Sequence, residues 1–83
     1  MNTLAETIES AFFSDGEIRI RLQSGREIHF PVHQNPRLSH ATPEQLNRID
    51  LSPYGLHWPE LNEDLSIRGI LQGRFGQAAP PFI

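Results

Sequence analysis

Apolar and polar residues alternate with a period of two through much of residues 17–30. Two alternating runs, 17–22 and 27–30, flank a short turn that contains Gly25. The apolar face of both runs consists of Ile18, Ile20, Leu22, Ile28 and Phe30. Two period-two runs around a glycine-containing turn predict a β-hairpin. Pro31 is expected to end this hairpin or to lie on a sheet edge.

The segment before this hairpin is compatible with two structures. Residues 7–13 precede the turn dipeptide Asp15-Gly16, which would make them the first strand of a three-stranded meander. A helix from Thr3 to Phe12 is the alternative. Its apolar positions at helical spacing would be Leu4, Ile8, Ala11 and Phe12. We favour the strand.

The middle of the chain carries the signals of a helix N-terminus. Thr42 suits the N-cap, Pro43 the first helical position and Gln45 the third, which is the capping-box arrangement. Leu46 and Ile49 are three residues apart, so both are expected to face inward on a short helix.

The stretch that follows is predicted to close the fold. Residues 56–58 are expected to form a last strand, which Pro59 ends. We expect Asn62 or Asp64 to cap a second short helix, because acidic residues suit the positive end of the helix dipole. Gly73 would end this helix. Its apolar stripe would consist of Ile67, Ile70 and Leu71.

These patterns predict a small α+β fold, a β-meander of three to four antiparallel strands with two short helices. The 83 residues contain no Cys, so neither disulfides nor thiolate metal sites can stabilise the fold. A chain of this length buries only about 60% of its unfolded surface. We expect a single domain over residues 1–74 and a flexible tail over residues 75–83, where Phe82 and Ile83 have the potential to dock on a neighbour.

Charge and hydropathy limit the class of partner. The chain contains seven arginines and ten acidic residues, which gives a net charge of −3. Nucleic-acid binding requires a concentrated basic surface, so we do not expect a nucleic-acid partner. Arg19, Arg21 and Arg26 have the spacing to share one face of the hairpin. The simpler interpretation is a solvated outer face paired with Glu17 and Glu27. The absence of Cys suits a reducing, cytoplasmic compartment. Without a run of roughly 20 apolar residues, we do not expect the chain to enter a membrane.

Catalytic and metal chemistry is poorly supported. His57 has the potential to approach Glu60, Glu63 or Asp64. No spacing in the chain matches a recurrent metal-ligand motif, so we expect neither a metal nor a cofactor. Helix capping accounts for the same acidic residues. No serine lies in a nucleophile-elbow context, and there is no Cys nucleophile. We therefore do not expect an enzyme.

Binding of another protein is physically easier to support. Arg37, Tyr54 and Trp58 are residue types enriched at interface hot spots. Two alternatives remain open, because Trp58 is also suited to the centre of a small core and Arg37 to a structural ion pair. The candidate binding residues are Arg37, Tyr54, His57, Trp58, Glu63 and Asp64.

Five sequence blocks in order resemble the bacterial family catalogued as domain of unknown function 2442. They are Ser24-Gly25-Arg26-Glu27-Ile28, Pro36-Arg37-Leu38, Ala41-Thr42-Pro43-Glu44-Gln45, Gly55-Leu56-His57-Trp58-Pro59 and Glu63-Asp64-Leu65-Ser66-Ile67. The resemblance covers residues 7–74. The chain departs from the family pattern at Ser24, where an Asp is usual, at residues 33–35, where an aromatic segment falls, and at Asn62, where an acid is usual.

The resemblance implies a small α+β meander with short helices, and it carries over no catalytic residue. Family members occur alone, fused to helix-turn-helix domains, or encoded beside a second small protein, a context that suggests toxin–antitoxin-like pairs. The leading hypothesis is a small protein-interaction module, the antitoxin-like or regulatory member of such a pair, with self-association as a further option. It would bind through a sheet edge or through a surface formed by Arg37, Tyr54 and His57. The alternative is a small-ligand or metal-binding domain that uses the region of His57, Glu63 and Asp64.

Overall fold

Two three-stranded antiparallel sheets form the framework of the fold. The computed structural model describes residues 6–76. Sheet 1 has the order β1-β2-β3 and sheet 2 the order β4-β5-β6. The strands are β1 Ile8–Ser14, β2 Glu17–Leu22, β3 Glu27–Pro31, β4 Asp50–Ser52, β5 Gly55–Trp58 and β6 Glu63–Ser66. The helices are the 3-10 turn Val32–Gln34, α1 Pro43–Leu46 and α2 Ile67–Leu71. The predicted α+β class is confirmed, with the strands divided between two meanders rather than gathered in one.

Residues 8–14 form strand β1, so the strand predicted at residues 7–13 is present and the alternative helix is not. Asp15 and Gly16 both have positive φ, 53° and 79°, which is the conformation of a two-residue hairpin turn that matches the strand twist. The pairing register shifts between Ile8 and Ser10. This β-bulge places Ile8 and Ala11, three residues apart, opposite the inward residues of β2. The bulge therefore explains why two inward residues of a strand have the three-residue spacing that is also typical of a helix.

Helix α1 is capped as its sequence predicts. The Thr42 hydroxyl accepts a hydrogen bond from the Gln45 amide at 3.1 Å, and the Gln45 side chain accepts one from the Thr42 amide at 3.0 Å. Leu46, at the end of this helix, is buried, and Ile49 is partly buried against the core. The capping box thus fixes the point at which the chain turns toward sheet 2.

The predicted start of the second helix is wrong. Residues 63–66 form β6, and α2 begins at Ile67 with Ser66 as its N-cap, where the Ser66 hydroxyl accepts from the Gly69 amide at 2.9 Å. Asn62 neither caps nor enters a helix, because its φ of 53° closes the loop between β5 and β6. The acidic run thus belongs to a turn and a strand.

The predicted apolar stripe of α2 is only partly present. Ile67 and Ile70 are buried, whereas Leu71 is 43% exposed because α2 is a little over one turn long. Gly73 follows the C-cap residue with a φ of 82°, the left-handed conformation expected at the end of a helix.

The inner faces of both sheets and both helices contribute to one hydrophobic core. Phe30 and Trp58 are fully buried in it. The outer edge of β1 meets the turn between β4 and β5, since the Ile8 amide donates to the Pro53 carbonyl at 2.9 Å. The Phe13 amide donates to the Asn47 side chain, also at 2.9 Å. Both ends of this strand edge are thereby occupied.

Packing continues beyond the predicted domain boundary at residue 74. The rings of Phe75 and Phe30 are stacked, with centroids 5.0 Å apart and planes at 6°. Residues 77–83, which contain Phe82 and Ile83 and most of the predicted tail, lie outside the described residues. Within residues 6–76, no helix combines the length and apolar character needed to cross a bilayer.

Candidate functional site

The outer face of sheet 2 carries a short grid of polar residues. Asp50 pairs in register with His57, and His57 pairs with Asp64, so these three form one row across the strands. The neighbouring row consists of Ser52, Gly55 and Ser66. Because Gly55 has no side chain, the middle of this second row is the lowest point of the grid. The position is narrow, since a Cβ there would lie 3.1 Å from the Leu65 carbonyl oxygen and 3.4 Å from Ser52 Oγ. A surface depression of about 570 Å³ lies over the grid.

Three of the predicted site residues line this depression. Tyr54, in the turn between β4 and β5, lines it with a side chain that is 57% exposed. His57 and Asp64 lie next to one another across β5 and β6, with His57 Nδ1 2.6 Å from Asp64 Oδ1. This contact orients the imidazole ring on the sheet, while 41% of the His57 side chain and 77% of the Asp64 side chain remain exposed. All three are available to a ligand.

Trp58 is a core residue and not part of this surface. It follows His57 on β5 and therefore points to the opposite, inner face of the sheet. Its side chain is fully buried, and its indole N–H donates to the Leu46 carbonyl at 3.0 Å. The sequence left two roles open for Trp58, an interface contact and a core residue, and the structure shows the core role.

Arg37 and Glu63 form an ion pair at the other end of sheet 2. Arg37 Nε lies 3.7 Å from Glu63 Oε1, and Arg37 Nη1 donates to the Asn62 carbonyl at 3.3 Å. The Glu63 side chain is only 14% exposed, whereas that of Arg37 is 56% exposed. Arg37 therefore has a structural ionic partner, and it clamps the loop between β5 and β6.

Asn35 is the buried polar centre that the sequence did not single out. Its side-chain amide donates to Glu63 Oε2 and to the Phe75 carbonyl, both at 2.7 Å. Its oxygen accepts from the amides of Arg37 and Leu38, both at 2.9 Å. The Asn35-Pro36 dipeptide signals a turn in the sequence. Nothing local signals the contacts with residues 63 and 75, since they are 28 and 40 positions away.

The six candidate residues therefore do not form one site. Adjacent strand residues point to opposite faces, so Glu63 lies on the inner side of β6 and Asp64 on the outer side. The proposed group of His57, Glu63 and Asp64 is divided by the sheet. In the part of the chain that the structure describes, no three His, Asp or Glu side chains come together as metal ligands.

The arginines of sheet 1 are paired with acidic neighbours. Arg19 lies 3.1 Å from Glu17, and Arg21 pairs with Glu27 across the hairpin. Arg26 is directed elsewhere, toward Glu6 at 3.5 Å. The outer face of sheet 1 thus matches the interpretation as a solvated, charge-paired face.

These elements define a small α+β protein of two packed meanders with a surface depression on the second. The chain belongs to the family described as Protein of unknown function (DUF2442), whose model matches residues 8–76. The suspected family membership is therefore confirmed.

Two solved structures share this fold. One is a protein of unknown function from Rhodospirillum rubrum, 28% identical over 89% of this chain and 94% of its own, with a TM-score of 0.80. The other is an uncharacterized protein from Chromobacterium violaceum, 37% identical over 87% of this chain and 70% of its own, with a TM-score of 0.75. A search of the curated proteins found no match.

Proposed function

We propose that this protein is a small, non-catalytic protein-interaction module of the cytoplasm that binds its partner through the outer face of sheet 2. The observation that carries this proposal is the exposure of Tyr54, His57 and Asp64 around one surface depression. Tyrosine is enriched at interface hot spots because its ring provides a large contact area at low entropic cost. A shallow surface of this kind suits a protein segment.

The face of sheet 2 is a better candidate than the outer edge of β1. Hydrogen bonds to Pro53 and Asn47 occupy both ends of the outer edge of β1, so an incoming strand would have to displace them. Arg37 is engaged with Glu63 and the loop carbonyls, which leaves it less free to provide a partner contact. The proposed surface is therefore Tyr54, His57, Asp64 and Asp50, which is called the sheet 2 surface below.

The biological role that we propose is that of the antitoxin-like or regulatory member of a bacterial pair. Support comes from the resemblance of the chain to its family, whose members are found beside a second small protein. A regulatory partner needs a compact binding surface and no active site, and the sheet 2 surface fits this requirement. In that case, expression of the partner alone should inhibit growth, and co-expression of this chain should restore it.

Capture of the partner from the native host tests the proposed surface. Wild-type chain should retain one stoichiometric partner protein, and the double variant Tyr54→Ala/His57→Ala should lose it. The matched control is Phe12→Ala/His29→Ala, which removes an exposed aromatic residue and a histidine from the outer face of sheet 1. The control should retain the partner. Equal retention by both variants would contradict the proposal.

The same experiment separates the small-ligand alternative. A result without any partner, together with a metal or metabolite that raises the melting temperature of the wild type but not of His57→Ala, would replace the interaction module with a ligand-binding domain. The comparison is informative because His57 is partly exposed and its loss should leave the core intact.

A further inference from the structure

We infer that the sheet 2 surface receives an arginine side chain of the partner protein, an inference that rests on the proposed function. The stem of this arginine would lie over Gly55, and its guanidinium would meet the carboxylate of Asp50 or that of Asp64. Tyr54 would provide an aromatic contact. The combination of uncompensated acidic charge, a grid position without a side chain and an exposed aromatic ring selects this ligand.

The charge of the surface is uncompensated. None of the seven arginines of the chain lines the depression. Across residues 6–76, Asp50 has no ion pair, and the ionic partner of Asp64 is His57, which is charged only when protonated. The outer face of sheet 1 differs, since both Arg19 and Arg21 are paired there. A cationic partner group would therefore meet uncompensated acidic charge at the sheet 2 surface.

The spacing of the grid suits a long cationic side chain. Adjacent strands lie about 4.8 Å apart, so Asp50 and Asp64 flank β5 from either side, separated by roughly 10 Å between their backbones. Gly55 is a diagonal neighbour of both positions, and diagonal neighbours are within reach of long side chains. A side chain placed over Gly55 can thus direct its terminal group toward either carboxylate.

Arginine fits this arrangement better than lysine. The guanidinium is planar, presents five donors in a fixed fork and binds carboxylates through two parallel hydrogen bonds. Its flat face also stacks on aromatic rings, and Tyr54 provides such a ring on the wall of the depression. Lysine offers a compact, strongly hydrated charge without either property.

Titration of isotope-labelled chain with short peptides tests the inference. The probes are three capped Gly-X-Gly peptides in which X is arginine, citrulline or lysine. Citrulline keeps the shape of arginine and removes its charge. The arginine peptide should shift the backbone amide signals of Tyr54, Gly55 and His57, and added salt should reduce the shifts. Equal shifts from the citrulline or the lysine peptide would overturn the inference.

Variants supply the second arm of the experiment. Asp50→Asn/Asp64→Asn should weaken binding of the arginine peptide by about fivefold or more, in keeping with the loss of exposed ionic contacts. The control Glu9→Gln/Glu44→Gln has the same net charge and alters exposed acids elsewhere, so it should bind like the wild type. Equal weakening in both double variants would show a non-specific effect of charge and overturn the inference.

The two proposals can fail separately. The captured partner could bind Asp50→Asn/Asp64→Asn as well as it binds the wild type but be lost from Tyr54→Ala/His57→Ala. In that case the inferred contact with a partner arginine is wrong, and the proposed interaction surface stands. If the partner is retained by every variant of the sheet 2 surface, the proposed surface itself is wrong.

Discussion

Asn35 shows how one buried side chain can join distant parts of a small protein. Its amide group donates to Glu63 and Phe75, and its oxygen accepts from two amides of its own turn. All of its hydrogen-bonding atoms are used in a site with no exposure to solvent. Such a group cannot be exchanged for a residue with different donors, because each unpaired buried partner costs about 1–3 kcal/mol.

The substitution Asn35→Asp should therefore destabilise the fold by about 3 kcal/mol at pH 7. The new carboxylate would face Glu63 Oε2 and the Phe75 carbonyl in place of a donor. Repulsion raises the folded-state pKa of this carboxyl above its unfolded value, so the deficit relative to wild type should shrink as the pH falls toward about 4. Urea unfolding at several pH values measures it.

The control for this variant is Asn47→Asp, at an exposed asparagine whose oxygen accepts from the Phe13 amide. A carboxylate can accept the same bond. It loses only the exposed hydrogen bond that Asn47 Nδ2 donates to the Pro43 carbonyl at 3.2 Å, which water can replace, so a loss below about 1 kcal/mol is expected. Equal losses for the two variants, or a deficit of Asn35→Asp that does not change with pH, would contradict the role assigned to Asn35.

Gly76 is constrained by the same buried centre. Its φ is 81°, and a Cβ at this position would lie 2.6 Å from Glu63 Oε2 and would overlap the Asn35 amide. Gly25 has a φ of 94° but open space around its would-be Cβ. Gly76→Ala should cost at least about 1 kcal/mol more than Gly25→Ala, because the backbone strain is shared and only the steric overlap differs. Thermal unfolding of both variants checks this, and equal costs would show that the overlap is relieved without loss.

At the scale of the element, β6 determines the chemistry of the acidic run. The sequence predicted that these acids would begin a helix, and a helical start would have placed them together near one end. As a strand, the segment sends Glu63 to the Asn35 network and Asp64 to the sheet 2 surface. Alternation along four residues therefore separates a structural carboxylate from an available one.

This separation predicts opposite outcomes for two neighbouring substitutions. Glu63→Ala should destabilise the fold by about 2 kcal/mol, because it leaves the buried Asn35 amide with one fewer acceptor and removes the partner of Arg37. Asp64→Ala should change stability by less than about 0.5 kcal/mol, since its ion pair with His57 is exposed. Denaturant unfolding measures both. Asp64→Ala should instead weaken partner capture, and a stability loss as large as that of Glu63→Ala would place Asp64 in the structural network.

At the scale of the whole molecule, Phe75, which follows α2, adds to the core. Phe75 stacks on the fully buried Phe30, and its carbonyl accepts from Asn35. Phe75 thus links Phe30 of sheet 1 to Asn35, whose side chain is in turn bonded to Glu63 of sheet 2. In a chain of 83 residues, a single aromatic contact of this kind is a large share of the net stability.

We therefore expect Phe75→Ala to cost about 2 kcal/mol and to lower the melting temperature by several degrees. Phe12→Ala is the matched control, because Phe12 is 48% exposed on the outer face of sheet 1 and should contribute less than about 1 kcal/mol. Equal losses for the two phenylalanines would mean that the packing of residue 75 contributes little to the fold.

The sequence by itself determined the local structure and the family. The hairpin of β2 and β3, the capping box of α1 and the glycine after α2 depend on neighbouring residues, so periodicity and capping signals identified them. Only the tertiary structure decided that residues 63–66 are a strand, that Asn35 is buried and that the candidate residues divide between two faces. The strand at residues 63–66 depends on its pairing with β5, and the burial of Asn35 depends on contacts with residues that are 28 and 40 positions away. Local pattern cannot specify such contacts, because it says which residues face inward and not which of them meet.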